Sequence, residues 1–246
     1  MSLKEREIKI LELLRERGEA SIQDLCRELF VSEPTVRRDL AELSAKGKLI
    51  RTHGGAVHKS ALGENIPLSL REREHSEAKL AIAKKCLELI NDGDTVMIDG
   101  SSTAGALLSL LSSKKSVVVV TNSAKAASLV QSASIRLFVT GGEIAENTYS
   151  FVGNYAEDFL RSFNADICFF SVRTLTENGL LTDNAIAENS VRRVMLSRSK
   201  KSVLMLGSKK LGEPCMNTLC TLDDVSYVVS ERDISENFIK QKEKFL

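Results

Sequence analysis

Five short segments of the chain carry side chains suited to holding a multiply charged anion. They are Asp99-Gly100-Ser101-Ser102-Thr103, Thr121-Asn122-Ser123, Gly141-Gly142, Ser171-Val172-Arg173 and Gly207-Ser208-Lys209-Lys210. Small residues let backbone N–H groups approach an anion, hydroxyls add donors, and lysine or arginine balances its charge. Any one of these segments is also an ordinary helix cap or turn. Five in succession point to a phosphorylated ligand. Asp99, Asp183 and Glu188 are the acidic residues nearby that a proton-transfer reaction would need. Asp99 reads equally well as a helix-capping carboxylate, Glu188 as a surface residue, and Arg192-Arg193 as solvated or interface charge.

A second cluster of chemistry lies near the N-terminus. Residues 37–59 hold Arg37, Arg38, Lys46, Lys48, Arg51 and Lys59 against Asp39 and Glu42, a balance of +4, whereas residues 1–36 balance to −2. A positive segment beside a negative one can orient a domain on phosphates.

Elements must position both groups. Apolar residues at helical spacing predict a first helix around Ile8, Leu11 and Leu14, ended by Gly18. Ser21 predicts the cap of a second, with Ile22, Leu25 and Leu29 on one face. After Phe30-Val31, Ser32 starts a third, in which Pro34 is tolerated in the first turn and Val36, Leu40 and Leu43 form the apolar stripe. The stripe turns Thr35, Arg37 and Arg38 outward at the end of a motif helix that enters the major groove in helix-turn-helix proteins. Residues 48–52 and 56–58 predict two strands of a wing around His53-Gly54-Gly55, carrying Lys48 and Arg51.

The remainder alternates apolar runs with helical patterns. Strands are expected at 95–99, 117–121, 135–139, 165–171, 202–206 and 225–229, and helices at 103–111, 123–131, 155–163, 188–198 and 234–244. Continuous apolar strands separated by helices argue for a parallel sheet covered on both faces. Ligands bind such sheets beyond the carboxyl ends of the strands, where the five anion-type segments fall. Residues 59–75 read as a polar linker, with Gly63 and Pro67 as the hinge, and Ser76 as the cap of the next helix. The expected organisation is a small DNA-binding domain (1–58), a linker (59–75) and a larger effector-binding domain (76–246).

The run Val31-Ser32-Glu33-Pro34-Thr35-Val36-Arg37-Arg38-Asp39-Leu40, followed by Arg51-Thr52-His53-Gly54-Gly55-Ala56, resembles the signature of the DeoR family of transcription regulators. The later segments, with Gly153, Gly179, Asp183 and Glu188, match that family's C-terminal sensor domain in order and spacing. The resemblance implies a winged helix-turn-helix joined to a parallel-sheet α/β domain similar to ribose-5-phosphate isomerase. It implies that Ser32, Thr35, Arg37 and Arg38 face an operator with Lys48, Arg51 and His53 of the wing in support. It further implies that Ser101, Ser102 and Thr103 hold a sugar phosphate, that Asp99, Asn122, Arg173 and Glu188 line the sugar end, and that Lys210 is the pocket cation. Gly100, Thr121, Ser123, Gly141 and Gly142 complete the expected site. The chain departs from the family at Gly207-Ser208-Lys209-Lys210, where Asp-x-Ser-Lys is usual, so the ligand contacts there should differ.

With 246 residues, 43% apolar and 27% charged, the chain can build one small and one medium domain. No apolar run is long enough to span a bilayer, and a cytoplasmic location is expected. Five irregularly spaced cysteines predict free thiols. His53, His58 and His75 lack zinc-type partners, so neither metal nor cofactor is expected. A homo-oligomer built through the larger domain is expected, because groove readers bind repeated half-sites. The leading function is a regulator, most often a repressor, of carbohydrate-metabolism genes, released by a phosphorylated sugar. Two alternatives compete: an isomerase-like enzyme with a DNA-binding appendage, and an architectural DNA binder with a degenerate pocket.

Overall fold

The computed structural model describes residues 3–45, 48–52, 54–58, 68–130, 134–145 and 148–246. The chain divides into two compact units, Met1–Leu70 and Arg71–Leu246.

In the first unit, α1 (Leu3–Arg17), β1 (Glu19–Ser21), α2 (Ile22–Leu29), α3 (Glu33–Ala45), β2 (Leu49–Arg51) and β3 (Gly55–His58) follow in order. Gly18, at φ +80°, ends α1 with its N–H on the Leu14 carbonyl. Ser21 caps α2 as expected: its hydroxyl accepts from Asp24 N, and the Asp24 carboxylate accepts from Ser21 N. Ile10, Leu14, Leu25, Val36, Leu40 and Leu43 close one core. The wing hairpin gains a strand that the sequence did not reveal, giving the antiparallel order β1-β3-β2. Pairing of Ser21 with Gly55 brings the two backbones so close that a Cβ at Gly55 would lie 2.0 Å from the Ala20 carbonyl oxygen.

The second unit is preceded by α4 (Leu68–Arg73), which runs across the boundary between the units. Of the expected linker, residues 59–67 lie outside the described residues, and the rest is largely this helix. Ser76 is not a cap. It is the first residue of α5 (Ser76–Glu88), and the left-handed His75 precedes it. There follow β4 (Thr95–Ile98), α6 (Ser102–Leu108), β5 (Val118–Thr121), α7 (Ala126–Leu129), β6 (Arg136–Val139), β7 (Glu143–Ile144), β8 (Phe151–Val152), α8 (Asn154–Arg161), β9 (Ala165–Phe170), β10 (Thr174–Leu175), β11 (Leu180–Asp183), α9 (Ile186–Ser197), β12 (Ser199–Met205), β13 (Asn217–Thr221) and β14 (Tyr227–Val229).

Six strands form a parallel sheet in the order β14-β12-β9-β4-β5-β6. Alternate strand residues enter two separate cores, as a sheet covered on both faces requires. Met97, Cys168, Phe170 and Leu204 pack with Leu160 and Val191 of α8 and α9. Val96, Ile98, Phe169 and Val203 pack with Ile82 and Leu107 of α5 and α6. The chain builds β5 and β6 on one side of β4, then crosses to build β9, β12 and β14 on the other. The topological switch therefore lies between β4 and β9.

A small antiparallel sheet, β10-β11-β13, and the β7-β8 pair were not foreseen. The helix expected at 234–244 does not form as such. Residues Ser235–Asn237 and Ile239–Lys244 make 3-10 turns. The chain end adds to the sheet edge instead: Leu246 N donates to the Val228 carbonyl, and Phe238 stacks on Phe245 at 5.4 Å. The five cysteines are free, with Cys86 and Cys168 buried.

Candidate functional site

The arginine-bearing edge of α3 is exposed. Val36, Leu40 and Leu43 face the core, while the Arg37 and Arg38 side chains are 49% and 67% exposed. Arg37 Nε donates to Glu33 Oε1 at 2.8 Å, and Arg38 lies 3.9 Å from Glu42. Exposed pairs of this kind are worth about 0–1 kcal/mol, so phosphate or a base edge can replace the carboxylate cheaply. The Ser32 and Thr35 hydroxyls are 3.1 Å apart at the start of the helix. Lys48 is exposed and Arg51 half-buried on the wing strand, and His53 lies outside the described residues.

Asp39 in the same Arg-Arg-Asp run points the other way. It is fully buried and accepts from Arg6 Nε at 2.7 Å and Nη2 at 3.2 Å. Asp39 raises the Arg6 pKa, first through this hydrogen bond. The pair ties α1 to α3 and fixes which edge of α3 faces outward.

In the second unit, the loops after β4 and β5 are joined directly. Gly100 N donates to Asn122 Oδ1 at 2.9 Å, and Asn122 Nδ2 donates to the Phe151 carbonyl at 3.0 Å. Thr121 Oγ1 donates to the Ile98 carbonyl and accepts from Ser123 N. The Ser101 hydroxyl accepts from Ala104 N and caps α6, Thr103 is buried, and Ser102 is half-exposed. Gly100 has no room for a side chain, because a Cβ would sit 2.2 Å from Ser150 Oγ. Ser150 is fully buried, with its hydroxyl unpaired among the described residues. Gly141 and Gly142 follow the edge strand β6. A Cβ at Gly142 would press on the Val152 carbonyl at 3.1 Å, so close packing against β8 accounts for that glycine.

Arg192 corrects the reading of Arg192-Arg193 as solvated charge. Its side chain is 4% exposed, and it donates to Asp99 Oδ2 (2.8 Å), Asp183 Oδ2 (3.0 Å) and Asn189 Oδ1 (2.9 Å). Burial works against its charge, but Asp99, Glu188 and Asp183 outweigh it and raise the pKa. Arg193, one step around the helix, is the exposed member and donates to the Thr218 carbonyl. Asp99 Oδ1 accepts from Ser101 N, and Asp183 Oδ1 accepts from Asn184 N and Ala185 N. The expected sugar-lining Asp99 is thus committed to Arg192 and its own loop. Glu188 is buried and has no hydrogen-bond partner among the described residues. The sequence held one usable signal for Arg192: α9 places it on the face of Glu188, Val191 and Met195, the buried side.

Lys210 reaches the carboxyl end of β9, donating to Ser171 Oγ (2.8 Å) and the Val172 carbonyl (2.7 Å). Burial lowers its pKa to about 8, and nearby Lys79 adds to the effect. Lys79 of α5 is itself lowered to about 8, again first by burial. Arg173 is half-buried beside Val172. Where the family usually has an aspartate, Gly207 leaves the loop to Glu231. This carboxylate accepts from Ser208 N and Oγ (2.6 Å) and is held below its ordinary pKa against the cost of burial.

A winged helix with an exposed cationic edge, joined to an α/β unit whose polar loops meet at a topological switch, is the organisation of a DNA-binding transcription regulator. The DeoR-like helix-turn-helix domain matches residues 6–61, and the DeoR C-terminal sensor domain matches residues 74–232. The chain belongs to the DeoR family of transcription regulators. It is 31% identical to the lactose phosphotransferase system repressor of Staphylococcus epidermidis, over 96% of this chain and 93% of that protein. It is 29% identical to the regulator GolR of Listeria innocua (96% and 94%) and 28% identical to the L-fucose operon activator of Haemophilus influenzae (97% and 96%). Among solved structures, a D-ribose-5-phosphate isomerase in complex with phospho-erythronic acid aligns at 17% identity. That match has a TM-score of 0.40 and covers 56% of this chain and 54% of that one. Among the described residues no helix is long and apolar enough to cross a membrane.

Proposed function

We propose that this regulator binds operators of carbohydrate-metabolism genes and that a phosphorylated sugar, held beyond β4, β5 and β9, sets its affinity for them. One observation carries the reading. At the switch between β4 and β9, the linked Gly100–Asn122 loops and the hydroxyls of Ser101–Thr103 are accompanied by the half-buried Lys210, whose ammonium donates to Ser171 Oγ and the Val172 carbonyl in the loop after β9. Two relatives named for lactose and L-fucose systems support the carbohydrate class. The first is a repressor and the second an activator; repression relieved by the ligand is the sense proposed here. Ser32, Thr35, Arg37 and Arg38 meet the duplex, with Lys48, Arg51 and His53 in support. The protein acts in the cytoplasm as a homo-oligomer joined through its sensor domain.

A thermal-shift screen of phosphorylated sugars tests the effector site. Ligand at a hundred times its Kd adds about 2.7 kcal/mol to the folded state. Ser102→Arg should abolish that shift and the ligand's effect on DNA affinity while leaving ligand-free DNA binding intact. A response that survives Ser102→Arg places the phosphate elsewhere. Size-exclusion chromatography with light scattering tests the oligomer, and a reporter assay tests the sign of regulation.

A further inference from the structure

The stretch 207–212 brings Lys210 to the carboxyl end of β9, and its two sides are held by different partners. On the far side, Leu211 bridges Leu175, and Gly212 N donates to the Leu175 carbonyl at 3.2 Å. On the near side, Ser208–Lys210 is a single 3-10 turn, closed by Lys210 N on the Gly207 carbonyl at 2.9 Å. The first N–H groups of a helical turn have no partner within it, so a side chain or water must accept from them. Gly207 stands at the N-cap position in the extended conformation of a cap (φ −67°, ψ 134°), but it has no side chain to offer. Glu231, 23 residues beyond Ser208, takes its place. Its carboxylate accepts from Ser208 N at 3.0 and 3.2 Å, from Ser208 Oγ at 2.6 Å and from Ser230 Oγ at 3.1 Å. The register brings it there. β14 runs parallel beside β12, and Leu206 N donates to the Val229 carbonyl, so the chain just past β14 lies beside the turn that follows β12. Both donors of Ser208 are thus given to one carboxylate, at the start of the turn that carries Lys210.

We propose that Glu231 is a positioning residue of the effector site: by capping the turn Ser208–Lys210 from beyond the neighbouring strand, it pre-orders Lys210 for an anionic ligand. The proposal rests on the effector reading above and adds the residue that readies its cation. A lysine side chain can follow a small shift of its backbone by rotation, so the effect is one of population rather than of leverage. With the turn capped, the bonds from Lys210 Nζ to Ser171 Oγ and the Val172 carbonyl start from one backbone arrangement. With the cap gone, several arrangements compete, and ligand affinity falls with the fraction that stays competent. Charge makes the opposite demand. An anion near the site opposes a phosphate, so by charge alone the loss of Glu231 would tighten binding. The sign of the change therefore separates a cap from a mere charge. A Cβ at Gly207 would meet nothing within 4 Å, so a carboxylate can be returned to the same turn at its own N-cap.

Variants of the full-length protein test this. The ligand probes are glucose 6-phosphate, fructose 6-phosphate, fructose 1-phosphate and ribose 5-phosphate, and the DNA probe is a duplex selected from a random library by the wild-type protein. Glu231→Ala should weaken the responding sugar phosphate about two- to thirtyfold, the equilibrium range that losing an N-cap spans. The sugar concentration that changes duplex affinity should rise by the same factor. Glu231→Gln, which keeps an acceptor for Ser208 N, should fall between wild type and alanine, and it carries the test if the alanine variant does not fold. Lys210→Met should cost about ten- to a hundredfold, the usual loss for a hydrogen bond to a charged group. In the Lys210→Met background, Glu231→Ala should cost nothing further, because it acts through the lysine already removed. Gly207→Asp added to Glu231→Ala should recover most of the loss. Affinity in Glu231→Ala that is unchanged or tighter overturns the positioning role, as do losses that simply add to those of Lys210→Met. A Gly207→Asp, Glu231→Ala protein no better than Glu231→Ala overturns the capping role. If none of the four sugars affects the wild-type protein, the effector reading fails and this inference with it. A wild-type response that Glu231→Ala or Lys210→Met retains in full sinks this inference alone.

Discussion

Replacing Arg192 by methionine is the sharpest test of how the sensor unit is held together. The guanidinium is 4% exposed and bonds two carboxylates, Asp99 and Asp183, which are 2% and 13% exposed. Without it, Asp99 Oδ2 loses its partner, and Asp99 keeps only the 3.2 Å bond from Ser101 N to its other oxygen. Asp183 is better protected, because Asn184 N and Ala185 N still donate to it at 2.8 and 3.3 Å. Most of the cost therefore falls on Asp99. Removing one partner of a buried ion pair costs about 3–5 kcal/mol. For a unit running from Arg71 to Leu246, each kcal/mol moves the midpoint by roughly 2–4 °C, so Tm should fall by about 6–20 °C. Adding Asp99→Asn removes the stranded charge and should recover part of the loss, leaving roughly 1–3 kcal/mol for the imperfectly bonded amide. Calorimetry on the three variants reads both numbers. A fall below about 2 °C, or a double variant no better than the single one, would refute the claim that this triad is a buried, charge-balanced unit.

Three further outcomes follow from the same geometry. Lys79 and Lys210 both have pKa values near 8, below the ordinary 10.5, so they lose their protons between about pH 7 and 9. Anionic effector affinity should drop about tenfold or more across that range. Ligand-free stability should instead rise through it, since the unfolded chain there binds more protons than the folded one; melting curves with and without ligand at each pH separate the two signs. Arg38→Ala should cost about 1–3 kcal/mol on the selected duplex and relax its sequence preference, whereas equal losses on random DNA would mean a phosphate contact. Glu188→Gln, in contrast, should change which sugar is preferred while leaving affinity for inorganic phosphate within about threefold, because Glu188 is the carboxylate free to accept from a hydroxyl. Titration calorimetry decides this, and an unchanged preference removes Glu188 from the site.

The parts of the fold that were legible are those where one physical signal dominates. Runs such as Val117 to Val120 and Ile167 to Phe170 have to be strands buried on both sides, because only a parallel sheet under two layers of helices hides them. Ser21 and Gly18 mark helix ends because a capping hydroxyl and a positive φ are local requirements. The short strands Glu19–Ser21 and Thr174–Leu175 left no run to read; the first is created by pairing with Gly55–His58 far along the chain, the second by a hairpin to Leu180–Asp183. The apolar spacing of Ile234, Phe238 and Phe245 looks helical, yet the open edge at β14 captures the chain end. Arg192 was misread for the same reason of distance: its partner Asp99 lies 93 residues earlier, and an Arg-Arg pair does not announce which member is buried.

The carboxylates also explain why this crevice suits a receptor better than a catalyst. A general base must keep a lone pair for the substrate proton and a pKa near the working pH. Asp99 accepts from Ser101 N and Arg192, and Asp183 accepts from Asn184 N, Ala185 N and Arg192, so the lone pairs of both are engaged by N–H donors. Such a network is costly to rearrange, because each broken bond strands a buried polar group. What it can do at no such cost is hold Arg192 and α9 in one place, so that Glu188 on that helix keeps a defined position relative to Gly100 and Ser102 on the neighbouring loop. A carboxylate with no hydrogen-bond partner among the described residues, within the field of Arg192, suits a ligand that carries hydroxyls as well as phosphate. Discrimination without turnover is the property a regulator needs from its ligand, since a ligand consumed on binding could not hold the DNA equilibrium where the cell's supply of it would set it.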